Sequence, residues 1–355
     1  MAKTWRHAVV GVGVVGDWHA RVIPQIPGSS LVAVADPLTD RAKASLEKHK
    51  QPNTAVFSSL EELLRATGDK IDVVHVCTPS GAHLEPVITA LNAKKNVICE
   101  KPMEIQLDRI DRMIATAKQN NVRLAGVFQN RWNRANRQLK LAADEGRFGT
   151  ISYAGCHTPW YRSDEYYRDG GWRGTHALDG GGAIMNQSVH AVDLLQWIAG
   201  PVKTVSAFAG SRIHAEIEVE DTLACSLQFA SGAYGVIMGS TGMWPGVSVR
   251  VEVGGANGTA ISEDGLKTYK FRDERPEDQQ IVDRLTPNGP QSTGGGSSPT
   301  DVPADLHLQN IDAILRAWES NRDAETNAAE SRKAVAIILA MYESAKKGGV
   351  PIAVA

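Results

Sequence analysis

The glycines at 11, 13 and 16 constrain this chain more than any other letters in it. Gly11-Val12-Gly13-Val14-Val15-Gly16 follows the apolar run HAVV and leads into a helix-like run. In such a loop the first glycine permits a tight turn. The second lets backbone N–H groups approach a pyrophosphate, and the third lets helix and strand pack closely. Alone, the pattern also fits a glycine-rich turn with no ligand. Its context points to a dinucleotide, because strand, loop, helix and second strand come in order. Asp36 ends that second strand about 20 residues on. Asp36 is placed to accept hydrogen bonds from the adenosine ribose, and its charge repels a 2′-phosphate, so NAD is favoured over NADP. Pro37, not an arginine, follows directly, although Arg41 is near enough to temper the preference.

The alternation that begins there continues. HAVVGV, SLVAVAD, TAVFSS, DVVHVC, KNVICE and VRLAGV are short apolar runs, mostly separated by amphipathic ones such as LEELLRAT and LDRIDRMIATAKQ. Strands without polar alternation, with helices between them, predict a parallel sheet covered on both faces. Beyond Gly149 the runs SYAGCHT, VKTVSAFAG, LACSLQFA, AYGVIMGS and VSVRVEVGG mostly follow one another without helices. They predict an open, mostly antiparallel sheet. The fold class is therefore an α/β Rossmann domain plus an α+β C-terminal domain. At 355 residues, two domains are expected, over 1–130 and 131–355. Two helices, near Asp305–Glu319 and Ala328–Lys346, close the chain. The Gly/Pro/Ser-rich stretch near 272–300 reads as a flexible loop.

Several functions are set aside by composition. A formal net charge of −2 gives no electrostatic case for nucleic acid or an anionic membrane. No run of 18 apolar residues exists to cross a bilayer. Cys77, Cys99, Cys156 and Cys225 form no CxxC pair, so neither structural zinc nor a disulfide framework is expected, and no metal site is assigned. The N-terminal apolar run lacks a small-residue cleavage site, which favours a strand over a signal peptide. A cytoplasmic location fits. An antiparallel sheet with one uncovered face predicts a homodimer or homotetramer.

Candidate chemistry comes from two further stretches. VICEKPM is a strand stopped by Pro102, which puts Glu100 and Lys101 at the carboxyl ends of the strands, where open α/β sheets bind ligands. An ammonium there can stabilise an alkoxide as hydride leaves; a solvated surface lysine fits the same letters. The second stretch is GGGAIMNQSVHAVDLLQW, Gly180–Trp197. With Ala183–Ala199 on one helix, Met185, Val189, Val192 and Leu195 form an apolar stripe. Asn186, His190, Asp193 and Trp197 form a second, polar one, which suits either a substrate-facing surface or a hydrogen-bonded core histidine.

GxGxxG, the EKP of Glu100-Lys101-Pro102, and GGG followed by His190 and Asp193 together resemble the Gfo/Idh/MocA oxidoreductases, over nearly the whole chain. The resemblance implies that Lys101 is catalytic and that its bond to Pro102 is often cis. It also implies a catalytic histidine at 190, so His190 is taken as the acid/base, with Lys101 as electrostatic partner. Histidine titrates near neutral pH and suits removal of a hydroxyl proton. The two exchange roles if burial depresses the lysine. Where many members carry aspartate, this chain has Asn186, which can still hydrogen-bond sugar hydroxyls. The departure weakens an inositol dehydrogenase reading.

Trp160, Tyr161, Tyr166, Tyr167 and Trp172 fall within thirteen residues, interleaved with Arg162, Arg168 and Arg173. Aromatic faces suit the C–H face of a pyranose, and the arginines suit a carboxylate, a phosphate or the cofactor. Packing or subunit contact is the alternative for the loop as a whole. Tyr161, Trp172 and Arg173 are taken as substrate contacts, and the resemblance implies that the last two also reach the cofactor. Thr78, Pro79, His83, Asn130 and Arg131 follow the fourth and sixth strands, and the resemblance implies that they neighbour the cofactor. Asp193 and His307 are expected near the substrate, a helix cap being the alternative for His307. The reading is an NAD-dependent oxidoreductase acting on a secondary hydroxyl of a sugar, glycoside or nucleotide sugar, or reducing the matching keto sugar; C3 as the carbon is what the resemblance to members reading Asn-Gln at 186–187 implies. One alternative is a glycosidase or lyase that oxidises C3 transiently and eliminates; another is a dinucleotide-dependent regulator without catalysis.

Overall fold

The computed structural model describes residues 4–169, 171–286 and 304–355. The chain divides into two compact units. The first runs to Gln129 and takes back Ala304–Arg332; the second begins at Asn130 and takes back Lys333–Ala355.

Six strands form the sheet of the first unit: β1 Trp5–Val10, β2 Ser29–Ala35, β3 Ala55–Phe57, β4 Val73–Val76, β5 Asn96–Cys99 and β6 Leu124–Gly126. Their order is β3-β2-β1-β4-β5-β6, and every pairing is parallel. All four residues of β4 are buried, as a strand covered on both faces requires. The order places β1 and β4 side by side at the centre, where the chain reverses direction across the sheet. Ligands of such sheets bind beyond the carboxyl ends of the strands at that switch point.

The helix Ala304–Glu319 belongs to this unit. The sequence places all of 131–355 in the second domain, and here the structure differs. Ile311, Ile314, Leu315 and Trp318 share one buried cluster with Trp5, Val22, Ile26 and Ile98. Trp5 and Trp318 meet edge to face, ring centroids 6.1 Å apart. The apolar stripe of this late helix thus gains its cover from the first unit's sheet and first helix, by the same burial that holds any core together.

The second unit carries β7 Ile151–Pro159, β8 Val202–Gly210, β9 Thr222–Phe229, β10 Tyr234–Ser240, β11 Arg250–Gly255, β12 Gly258–Ser262, β13 Leu266–Phe271 and β14 Ile352–Ala353. The order is β13-β12-β11-β7-β10-β9-β8-β14. Only β7 and β10 run parallel; the other pairings are antiparallel. Along β9, Leu223, Cys225, Leu227 and Phe229 are buried while Ala224 and Ser226 are exposed, the alternation of a sheet with one packed face. Phe208 and Tyr234 are exposed large side chains of this sheet. Within the stretch read as a loop, Pro276–Leu285 is a helix, tied down where Arg147 meets Asp278 in two 2.7 Å hydrogen bonds. The rest of that stretch, from residue 287, lies outside the described residues.

Candidate active site

In the first unit the glycine loop joins β1 to the helix Val14–Val22. Gly11 has φ +83°, and a Cβ on Gly16 would lie 1.9 Å from the Gly11 carbonyl oxygen, so both positions exclude side chains. Gly13 differs: its φ is −78° and a Cβ there would meet nothing within 4 Å. Nothing in this chain demands glycine at 13. The space beside it fits a pyrophosphate approaching the backbone. Val14, 47% exposed, and Val15 open the helix beyond it. Asp36, buried, accepts from the Val12 N–H at 2.7 Å and the Leu38 N–H at 2.8 Å, and Arg41 reaches its Oδ2 at 2.6 Å. A carboxylate has about four acceptor sites, so Asp36 supports the loop and retains capacity for a ribose hydroxyl.

Beyond β4 and β5 the same sheet edge carries Thr78, Pro79, Glu100 and Lys101. The Lys101–Pro102 bond is cis. Glu100 is buried; its Oε2 accepts the Lys101 N–H at 3.1 Å and its Oε1 the His19 Nε2 contact at 2.9 Å. Against burial, which raises it, the hydrogen bond from His19 and the neighbouring His307 and Lys101 hold its pKa down at about 2, so it is ionised. His83 is buried, with Nδ1 3.0 Å from the Pro102 carbonyl and Nε2 2.8 Å from that of Thr78. Rather than presenting a nitrogen to a cofactor, it braces the β4 loop against the Lys101 turn. His307 is no surface cap. It is 1% exposed, edge to face with Trp18 at 5.3 Å, and its Nε2 lies 3.8 Å from Glu100 Oε1. Burial lowers its pKa to about 4.

In the second unit the expected single helix is two elements: a π-helical turn, Ala183–Ser188, then an α-helix, Val189–Ala199. Ser188 Oγ donates to the Ala183 carbonyl five residues back at 2.7 Å. Glu220 accepts the N–H groups of Gly182 and Ile184 at 3.0 and 2.9 Å, and a Cβ on Gly182 would lie 1.9 Å from the Glu220 carbonyl. The glycine run therefore lets this turn press against its neighbour, and wide turns of this kind recur at functional sites. Asn186 Nδ2 donates to Asp179 at 2.5 Å, and Gln187 Nε2 donates to Asn186 Oδ1 at 3.1 Å and to Tyr166 Oη at 2.8 Å. Arg162 donates to Gln187 Oε1 at 2.8 Å. His190, 8% exposed, stands one turn further on.

Asp193 is engaged within its own unit. It forms a two-pronged ion pair with Arg131, at 2.7 and 2.6 Å, both side chains 1% exposed. Arg131 lies over the Trp197 ring at 5.2 Å, so both candidates serve the core of this unit. Neighbouring Asn130 is half-buried. In the aromatic loop, Trp160 and Tyr167 are buried and Tyr167 Oη is 2.8 Å from Thr241 Oγ1, which is packing. Tyr161, Trp172 and Arg173 remain half-buried, and Arg173 stacks over Tyr166 at 4.3 Å.

Sequence reasoning missed Asp179, which precedes the glycine run in HALDGGG, and Gln187 beside Asn186. It also missed His7, His19 and His75, buried rings of which His19 contacts Glu100. Among the described residues no group of three His, Cys, Asp or Glu side chains can hold a metal ion, and no helix is long and apolar enough to cross a membrane.

Comparison with known proteins places the chain in a family. Residues 5–128 match the model of the oxidoreductase family with an NAD-binding Rossmann fold, and residues 136–261 that of the Gfo/Idh/MocA C-terminal domain. The chain is 29% identical over 270 residues to myo-inositol 2-dehydrogenase of Thermotoga maritima, covering 74% of this chain and 76% of that protein. It is 28% identical to 2,7-anhydro-N-acetylneuraminate hydratase of Mediterraneibacter gnavus, covering 68% and 63%. Among solved structures, the WlbA dehydrogenase of Bordetella pertussis, in complex with NADH and UDP-GlcNAcA, superposes with a TM-score of 0.86 at 29% identity, over 99% of each chain.

Proposed function

Because the chain belongs to the Gfo/Idh/MocA oxidoreductase family and is an NAD-dependent enzyme acting on CH–OH groups, we propose that its substrate is a sugar, glycoside or nucleotide sugar. The carbon oxidised, or reduced in the matching keto sugar, is C3 of the ring. One observation carries this reading: the open space beside Gly13 and the Lys101 side chain both belong to the carboxyl edge of a single parallel sheet. NAD supplies the hydride acceptor. The Gly11–Gly16 loop would hold its pyrophosphate and Asp36 its ribose, with Thr78, Pro79, Trp172 and Arg173 as further candidates to contact it.

Lys101, held by the turn that His83 braces, stabilises the developing alkoxide. Pre-placed charge of this kind is worth several kcal/mol where water is excluded. His190 takes the hydroxyl proton. Asn186, anchored by Asp179 and Gln187, presents a neutral amide of fixed orientation to the sugar. The family aspartate is absent at this position, yet a carboxylate remains one hydrogen bond away in Asp179. Tyr161, with its apolar ring and polar tip, suits a pyranose. The similarity to a structure holding UDP-GlcNAcA favours nucleotide sugars within the panel. The open sheet face with Phe208 and Tyr234 suits a homodimer or homotetramer.

A second reading gains support from the similarity to a hydratase. Oxidation at C3 acidifies the C2 hydrogen, so a C1 substituent can leave, and re-reduction restores the cofactor. The test is absorbance at the reduced-nicotinamide band with NAD and a panel of glycosides and nucleotide sugars. A rise with one of them supports the dehydrogenase. Product formation with no net rise, and exchange of the C2 hydrogen with solvent deuterium, supports the redox-neutral reading. No turnover of any sugar contradicts both.

A further inference from the structure

Three histidines lie buried within the first unit, each with no exposed surface: His7 in β1, His75 in β4 and His19 in the helix Val14–Val22. Ser29 Oγ is 3.2 Å from His7 Nε2. His7 Nδ1 is 2.8 Å from His75 Nε2, His75 Nδ1 is 2.9 Å from His19 Nδ1, and His19 Nε2 is 2.9 Å from Glu100 Oε1. Both nitrogens of all three rings are thus used in one unbranched series. Ser29, half-buried, starts β2 at the amino edge of the sheet, whereas Glu100 follows β5 at the carboxyl edge. The series therefore crosses the sheet from one edge to the other.

We propose that Ser29, His7, His75 and His19 form a proton relay between solvent and Glu100, the carboxylate next to Lys101 at the carboxyl edge of the sheet. The relay does not depend on the function proposed above. Glu100 is ionised and only accepts, so His19 Nε2–H donates to it. In the resting state His75 Nδ1–H donates to His19, His7 Nδ1–H to His75, and the Ser29 hydroxyl to His7 Nε2. Burial lowers the pKa of His7 to about 3 and that of His75 far down, so neither holds a charge at neutral pH.

A proton from water at Ser29 moves each of these hydrogens one link. Ser29 gives its own proton to His7 Nε2 and takes one from water. His7 gives its Nδ1 proton to His75 Nε2, and His75 gives its Nδ1 proton to His19 Nδ1. Three bonds to hydrogen break within the series and four form, the extra one being to the entering proton, and no electrons are exchanged. The charge ends on His19, paired with Glu100, from which the Nε2 proton can pass to the carboxylate. The reverse sequence returns a proton to water. The other titratable or charged groups near the series are Asp72, bound to Arg6 and near His7, and His307 and Lys101 near Glu100. With an acceptor at one end and one hydrogen per link, every hydrogen of the series points the same way, which is what transfer along it requires.

The test uses the whole chain labelled with ¹⁵N-histidine, without substrate, so that its failure and a failure to find a sugar are separate results. Nitrogen–proton spectra at pH 7 are expected to show His7 and His75 neutral and in the same tautomer, both Nδ1–H. Their ring protons should exchange with water at least tenfold faster than the backbone amides of Val9 and Val74. Ser29→Val should slow that exchange at least tenfold, and Ser29→Ala serves if the valine variant does not fold. Opposed tautomers of His7 and His75 in the wild type would overturn the relay with no variant needed. So would ring-proton exchange that is indifferent to Ser29.

Discussion

Asn186 donates its side-chain amide to Asp179 at 2.5 Å, so the uncharged residue in this chain's site is backed directly by a buried carboxylate. Asn186→Asp would place two carboxylates in contact, and like charges at that distance cannot both ionise. The pair can share a proton at low pH and must give it up, at a cost, as pH rises. The variant should therefore lose stability by roughly 2–4 kcal/mol at pH 8 and by less at pH 5. Thermal unfolding at both values checks this; an equal deficit at both contradicts it.

Two glycines of the phosphate loop should respond differently. Gly16→Ala drives a Cβ into the Gly11 carbonyl, so the fold itself should suffer. Gly13→Ala enters open space at φ −78°, so thermal stability should hold. NAD affinity should nevertheless fall about tenfold or more, roughly 1.4 kcal/mol. Unchanged NAD affinity in a folded Gly13→Ala protein would remove the loop from the cofactor site.

The Arg131–Asp193 pair predicts a stability effect in place of a substrate effect. Asp193→Ala leaves a guanidinium buried without its carboxylate and should cost about 3–5 kcal/mol. Replacing both, as Arg131→Met with Asp193→Leu, should restore much of that. Denaturant midpoints for the two variants decide it. A fully stable Asp193→Ala with a raised KM would return Asp193 to the substrate.

Acid should weaken the first unit early. His7 and His307 have folded pKa values of about 3 and about 4, both lowered chiefly by burial from 6.5. The unfolded chain therefore takes up their protons first, and stability falls as pH drops from 6.5 towards those values. Each contributes about 1 kcal/mol per pH unit in that window. Urea midpoints at pH 7, 6 and 5 should fall in sequence. A flat profile would mean that these rings are protonated in the folded protein.

The parts of this molecule that were legible in its sequence are those whose physics is local. Buried parallel strands read as unbroken apolar runs, so β1 to β6 could be named from HAVVGV through VRLAGV. The glycine loop is similar, because its constraints fall on adjacent backbone. What escaped depends on residues far apart. His7, His19 and His75 look like ordinary strand and helix letters until the sheet order brings them to Glu100. The π-helical turn escaped because Ala183–Ser188 keeps a helical composition. Its start is held by Glu220, which lies on another segment. The Arg131–Asp193 pair escaped for the same reason: a polar stripe on a helix does not say whether its partner is a ligand or Arg131.

The central claim is that Lys101 and His190 perform the chemistry. It is tested most directly by steady-state turnover of the first sugar found to reduce NAD, in Lys101→Met and His190→Ala. In folded, NAD-binding variants the account predicts kcat losses of roughly 10²–10⁴ for each. Wild-type kcat in both would contradict it.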